Sequence, residues 1–323
     1  MDAEDVAQIA ESLRQALSAQ PKGARRALGE FGWRDLLADE PKVAVSTLFT
    51  LSGELLTPGS MVDAVLLHAA NSASLADDAR VVLPPPGRHV PLSRSVDGQT
   101  VAVEGFVQPG DGGIVVPCLD ARGEYALVVC DPLRLRPGAP LDETAGWARV
   151  SATAPILSFV SDWTTPHGDG GAAWGDMVAA GRRALAHELV GIGSTMLSMT
   201  VEHVSERVQF HRPLGSFQAV KHQLADVHLW QEIAVLSADA AWEDCSPQSA
   251  ALAKAAAIRF TRSARASCQQ LLGGMGFTWE HDFHRYLRRA LTLEPLLGGA
   301  PDLHGELGAA LRSGKVGQAL IAL

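Results

Sequence analysis

The chain has 323 residues, 47% hydrophobic and 20% charged, with a net charge of −9. That composition excludes a disordered chain and supplies enough apolar material for two or three packed layers. The acidic balance argues against nucleic acid or an anionic membrane as main partner, and no run of 18 apolar residues exists to span a bilayer.

The N-terminal stretch MDAEDVAQIAESLRQ is acidic and amphipathic. It lacks a basic segment followed by an apolar run, so no signal peptide is expected and the chain reads as cytoplasmic. Val6, Ile9, Leu13 and Leu17 recur at helical spacing, and a second helix is expected after Pro41, carrying Leu48, Phe49, Leu55 and Leu56 and stopping before Thr57-Pro58-Gly59. Residues 1–75 therefore read as a helical region. Residues 76–155 change character. VVLPPPG, QTVAVEGFV, GIVVPCL and EYALVVC are short and β-branched, with turn chemistry at Asp97-Gly98 and Asp111-Gly112-Gly113. They predict a small β-barrel or sandwich.

Residues 172–323 are helical again. One stripe is Leu185, Leu189, Ile192, Met196 and Met199; a second is Phe217, Val220, Leu224 and Val227. Ser246-Pro247 predicts the cap and first residue of an Ala-rich helix running to Gln270 and stopped by Gly273-Gly274. A fourth helix is expected from near Thr278 to Leu293, ended by Pro295, and residues 301–322 could add a fifth. The order is helices, small β domain, four-helix bundle, a mainly α fold. Cys118, Cys130, Cys245 and Cys268 show no metal spacing and read as reduced thiols.

Several polar groups invite a functional reading. Glu280, His281, Asp282 and His284 could be acid–base groups or metal ligands, and Glu280 and His284 would share a helix face. The structural alternative is helix-start chemistry, acids in the first turn and Arg285, Arg288 and Arg289 later. No metal site is expected. His187, Glu188 and His203 read as surface or satisfied core residues; Arg182-Arg183 reads as a solvated pair or a contact for a coenzyme A phosphate.

Two stretches carry a family resemblance. ERVQFHRPLGSFQAVKHQLADVHLW resembles the acyl-CoA dehydrogenase segment R-x-x-F-G-x-P-I-x-x-F-Q-x-x-K-x-x-L-A-D, and QQLLGGMGFTWEHDFHRYLRRA resembles that family's Q-x-x-G-G-x-G-F segment. TWEHD is similar to the bacterial branch acting on steroid and other bulky acyl-CoA thioesters. The matched region runs from about residue 180 to 295. The resemblance implies an acyl-CoA dehydrogenase-like fold and a flavoenzyme, in which a glutamate removes the α proton of an acyl-CoA while FAD takes the β hydride. It further implies that Arg207, Phe210, Gln218, Gln270, Gly273 and Gly274 reach across a subunit interface to a neighbour's FAD. An arginine fork and a glycine turn suit a pyrophosphate.

The departures carry equal weight. The position of the usual base falls on Leu297, followed by Gly298; a second branch's base position falls near Gly181. Neither residue takes a proton, and a lost general base costs roughly 10²–10⁴ in rate. No T-E-P-x-x-G-S-D loop or W-I-[TS] strand occurs in residues 70–110; HAANSASLADDARV stands in that place. His211 replaces the usual glycine of the first motif. The half of the flavin site given to a neighbour is kept, and the half a subunit uses for itself is lost. This implies the degenerate subunit of an α₂β₂ heterotetramer whose full-length acyl-CoA dehydrogenase partner holds FAD and base, with a bulky, steroid-derived acyl-CoA as substrate. The alternatives are a flavin-free scaffold, or a repurposed acyl-CoA enzyme such as a hydratase using Glu280 or Asp282.

Overall fold

The computed structural model describes residues 1–19, 24–71, 75, 78–135, 140–164 and 169–314. Five helices come first: α1 (Ala3–Ala19), α2 (Ala24–Phe31), α3 (Trp33–Asp39), α4 (Pro41–Leu55) and α5 (Val62–Ala69). The α1 stripe buries Leu13 and Leu17 and leaves Val6 and Ile9 half-buried. Pro41 opens α4, where its missing N–H is no loss.

Seven strands follow: β1 (Arg80–Val81), β2 (Arg94–Ser95), β3 (Thr100–Val107), β4 (Ile114–Leu119), β5 (Tyr125–Cys130), β6 (Ala148–Pro155) and β7 (Ser158–Thr164). They form one sheet in the order β6-β3-β2-β4-β5-β7, with β1 parallel to β4. β3 buries every second residue, including Val101, Val103 and Val107, as a half-buried strand requires. β4 is buried on both faces. Its Val115 joins the helical core, while Ile114, Val116 and Cys118 belong to the sheet's own core. Of the expected strand VVLPPPG only Val81 joins the ladder, and Leu83 adds an isolated bridge to Phe106. The prolines that follow have no N–H to continue it. Part of HAANSASLADDARV, residues 72–74 and 76–77, lies outside the described residues.

The remaining elements are α6 (Asp169–Glu206), the hairpin strands β8 (Val208–Gln209) and β9 (Arg212–Pro213), α7 (Gln218–Ala240), α8 (Pro247–Leu272), α9 (Phe283–Leu293) and α10 (Ala300–Arg312). Side-chain contacts set their directions. Arg183 meets the Cys245 carbonyl, a Cβ at Gly193 would press on Phe260, and Thr200 meets Cys268, so α6 and α8 run parallel. His187 meets Trp242 and Ser194 meets Gln231, so α7 runs against α6. Ser246 caps α8 by accepting from the Ser249 N–H at 3.1 Å. The helix ends at Gly273, whose φ of 59° is a left-handed conformation that suits glycine.

One helix start differs from expectation. A 3₁₀ turn spans Gly273–Phe277, Thr278 is extended, and α9 begins only at Phe283. Glu280 and Asp282 therefore precede the helix and do not form its first turn. Of residues 301–322, those up to Arg312 lie in α10 and 315–322 fall outside the described residues. Among the described residues no helix is long and apolar enough to cross a membrane.

Candidate functional site

The parallel course of α6 and α8 brings the two motif segments to one end of the bundle. Arg207 follows α6, Gln218 opens α7, and Gln270, Gly273 and Gly274 close α8. The Leu214 N–H bonds the Arg207 carbonyl at 2.8 Å, which folds the hairpin back over the end of α6. Arg207, Phe210, Gln218, Gln270, Gly273 and Gly274 are all exposed, Phe210 at 79%. A side chain at either glycine would meet nothing within 4 Å. Phe277 and Trp279 are also exposed, at 74% and 77%. The Phe210 ring packs edge-on to Phe217 at 6.1 Å, and the Arg212 guanidinium lies 3.9 Å over Phe217. Phe210 and His211 form the two-residue hairpin loop, with φ of 53° and 64°. Two consecutive left-handed residues define a type I′ turn, whose usual occupants are Asn and Gly.

The opposite arrangement surrounds Leu297. This residue is fully buried and has a φ of 54°. Gly181 on α6 faces it: a Cβ there would overlap Leu297 Cδ1 and lie 3.0 Å from Leu66 Cδ2. Both chain positions where a base was sought thus converge on one apolar contact. Cations bind the turn that carries Leu297 from its inner side. Buried Lys254 on α8 donates to the Leu296 carbonyl and to the Gly298 carbonyl at 2.7 Å. Arg182 Nε donates to the Leu297 carbonyl at 2.9 Å, and its fork holds Glu306 at 2.6 and 2.8 Å. Burial, then the neighbouring Arg182 charge, pushes the Lys254 pKa well down.

A second buried network centres on Arg289 of α9. It bonds Glu188 of α6 at 3.0 Å, Asp142, the Thr57 carbonyl and the Thr144 hydroxyl. Burial raises the Glu188 pKa against the pull of Arg289. At Asp142 burial is outweighed by Arg289 and the Thr144 bonds, and the pKa falls. His187 is buried and accepts from Trp242 Nε1 at 3.1 Å; burial and then Lys42 lower its pKa to about 4, so it is neutral. The expectation of a solvated Arg182-Arg183 pair does not hold. Both are buried, and Arg183 stacks over Trp242 at 5.0 Å while donating to the Cys245 carbonyl. Sequence reasoning missed these networks. Lys254 was findable: it shares the α8 stripe of Ala250, Ala257, Thr261, Ala264 and Cys268, all buried.

Glu280 is exposed before α9, and Arg288 and His284 pack on its neighbour Trp279 at 5.0 and 4.7 Å. Among the described residues, His89, Asp302 and Glu306 form the one trio with metal-ligating atoms close together. His89 Nδ1 lies 2.7 Å from Asp302 and 3.0 Å from Glu306. Arg182 already neutralises Glu306, so the trio reads as an ion-pair latch between the loop after β1 and α10.

Comparison with known proteins bears on both regions. The family "Acyl-CoA dehydrogenase, C-terminal domain" matches residues 168–313. The acyl-CoA dehydrogenase IpdE2 of Mycolicibacterium smegmatis is 34% identical over 230 residues, 68% of this chain and 67% of that protein. This chain belongs to the acyl-CoA dehydrogenase family. Its matches to two other curated acyl-CoA dehydrogenases span 33% and 26% of their lengths. Two solved structures share the acyl-CoA dehydrogenase fold. The "Tcur3481-Tcur3483 steroid ACAD G363A variant" gives a TM-score of 0.79 at 22% identity, covering 97% of this chain and 99% of that one. The ChsE4-ChsE5 complex from Mycobacterium tuberculosis gives 0.73 at 18% identity, covering 97% and 98%.

Proposed function

We propose that this acyl-CoA dehydrogenase family member is the non-catalytic subunit of a cytoplasmic, heteromeric FAD-dependent acyl-CoA dehydrogenase, most simply an α₂β₂ assembly. A full-length partner holds the flavin and the base, and this chain completes the partner's site. The observation that carries the reading is the contrast already described. The motif residues at the bundle end face solvent, while Leu297 and Gly181 pack against each other in the core. A carboxylate at either position would be desolvated. The pairing of two chains in the names of both structural neighbours supports a heteromer.

The residues at the bundle end fit a dinucleotide's anionic half. Arg207 offers a guanidinium fork, Gln218 and Gln270 offer amides, and at Gly273 and Gly274 no side chain stands between the backbone and an approaching group, the Gly273 N–H itself being bonded to the Gln270 carbonyl. The N-terminus of α7 at Gln218 adds partial positive charge. FAD, when bound, would accept a hydride from an acyl-CoA; this chain's residues would hold its phosphates and exclude water. Steroid-derived or other bulky acyl groups are the proposed substrates, supported by the steroid ACAD among the structural neighbours.

The test is co-expression with a full-length acyl-CoA dehydrogenase partner. The complex should purify yellow with about one FAD per pair of chains, and this chain alone should be colourless. Arg207→Ala should weaken flavin retention by roughly tenfold or more, the value of a charge-assisted hydrogen bond. A yellow homo-oligomer that bleaches on adding acyl-CoA would overturn the proposal.

A further inference from the structure

A cleft of about 270 Å³ opens where the α4–α5 turn meets the strand-connecting segments of the sheet. One of its polar side-chain atoms has no partner among the described residues. Thr57 is 8% exposed, and its Oγ1 is buried with no hydrogen-bond partner. Such a hydroxyl costs roughly 1–3 kcal/mol if it stays unpaired. Gln108 is 3% exposed; its Nε2 donates to the Ala145 carbonyl at 2.9 Å, which fixes Oε1 as the outward acceptor. The backbone makes room for it: a Cβ at Gly146 would lie 2.8 Å from Oε1 and one at Gly59 would lie 3.9 Å away. At the mouth stands Arg25 on α2, whose guanidinium makes a single long bond of 3.4 Å to the Ser60 carbonyl. Pro58, Met61 and Leu28 supply apolar wall.

We infer that this cleft binds a compact carboxylate carrying an N–H or O–H donor. The acid group faces Arg25, the donor meets Gln108 Oε1, and Thr57 Oγ1 bonds the middle of the molecule. The volume lies just under the range of about 300–1,000 Å³ that holds drug-sized ligands, which fits a small metabolite and rejects a dinucleotide. One cation at the mouth and no facing carboxylate in the wall selects an anion. The inference does not rest on the proposed heteromer, since it concerns atoms of this chain alone.

The experiment is calorimetric titration of the full-length chain with pantothenate, which has a carboxylate, an amide N–H and hydroxyls. Panthenol, with a hydroxymethyl group in place of the carboxylate, is the neutral control. Saturable binding of pantothenate is expected, about tenfold tighter than panthenol, with Thr57→Val and Arg25→Gln each weakening it roughly tenfold. Arg25 is exposed, so Arg25→Gln leaves the fold intact, and circular dichroism checks Thr57→Val. No saturable binding up to about 10 mM, or binding indifferent to both substitutions and to the loss of the carboxylate, overturns the inference.

Discussion

Two regions of the bundle have opposite surroundings. At the end where α6, the α7 start and α8 meet, a glycine turn, an arginine and two amides stand open to solvent. At the turn after α9, Leu297, Gly181 and Leu66 fill one another's space and two cations bind the turn's carbonyls. The first region carries the segments that resemble the family, and the second holds the positions Leu297 and Gly181 that depart from it. What separates them is burial. An exposed polar group is open to another molecule, whereas a closely packed side chain is committed to its neighbours in the fold.

The largest effect is expected at the second buried network, centred on Arg289. Arg289→Ala would leave Glu188 and Asp142 buried without their counter-charge. A loss of about 3–5 kcal/mol is expected by urea unfolding, a large share of the roughly 5–15 kcal/mol that holds a domain folded. Next comes the direct attempt to restore a base. Leu297→Glu puts a carboxylate against Leu66 and α6, 0% exposed. It should cost on the order of 3 kcal/mol and give no dehydrogenation by the chain alone. A stable, active Leu297→Glu chain would show that the region is a dormant site and break the contrast.

The latch at His89, Arg182, Asp302 and Glu306 gives the contrast a pH dependence. At Glu306 burial is outweighed by the bonds from His89 and Arg182, so its pKa falls to about 2. A depressed carboxylate stabilises above its unfolded value near 4.3, and that stability is lost as pH falls toward 2. His89 moves the other way. Bonding to Glu306 raises its pKa despite burial, so its contribution is full below about 6.5 and is lost as pH rises through the raised value. Glu306→Gln should cost on the order of 2 kcal/mol near pH 6, after discounting for its partial exposure, and should flatten the acid limb. Urea midpoints across pH 3–8 test the sign, with the range set by about these pKa values.

Much of this was legible in the chain. Helical stripes, Pro41, Ser246-Pro247 and Gly273 mark elements whose causes are local: periodicity, a missing N–H, a cap, a left-handed residue. The exposed cluster was legible because its residues lie in two contiguous motifs. The burial of Arg182, Glu188 and Arg289 was not, since their side-chain partners sit 101 to 147 residues away in sequence, and others of their partners are backbone carbonyls that accept from the arginines. The late start of α9 was hidden for a local reason. Acids at 280 and 282 satisfy the rule for a first helical turn, yet Gly273–Phe277 takes a 3₁₀ path and leaves 278–282 outside the helix.

The smallest effect concerns the exposed end and separates folding from binding there. His211 takes φ 64° in a type I′ loop where the family carries glycine. A left-handed side-chain residue costs roughly 1–2 kcal/mol, so His211→Gly should stabilise the isolated chain by about 1 kcal/mol after the entropy of the freed unfolded glycine is subtracted. If the strain is retained for function, the same change should loosen flavin retention in the co-expressed complex, because the imidazole is removed from beside Arg212 and Phe210. A more stable chain with poorer retention would mark His211 as a contact at the shared site. A more stable chain with unchanged retention would confine the partner's nucleotide to Arg207, Gln218 and the α8 glycine turn.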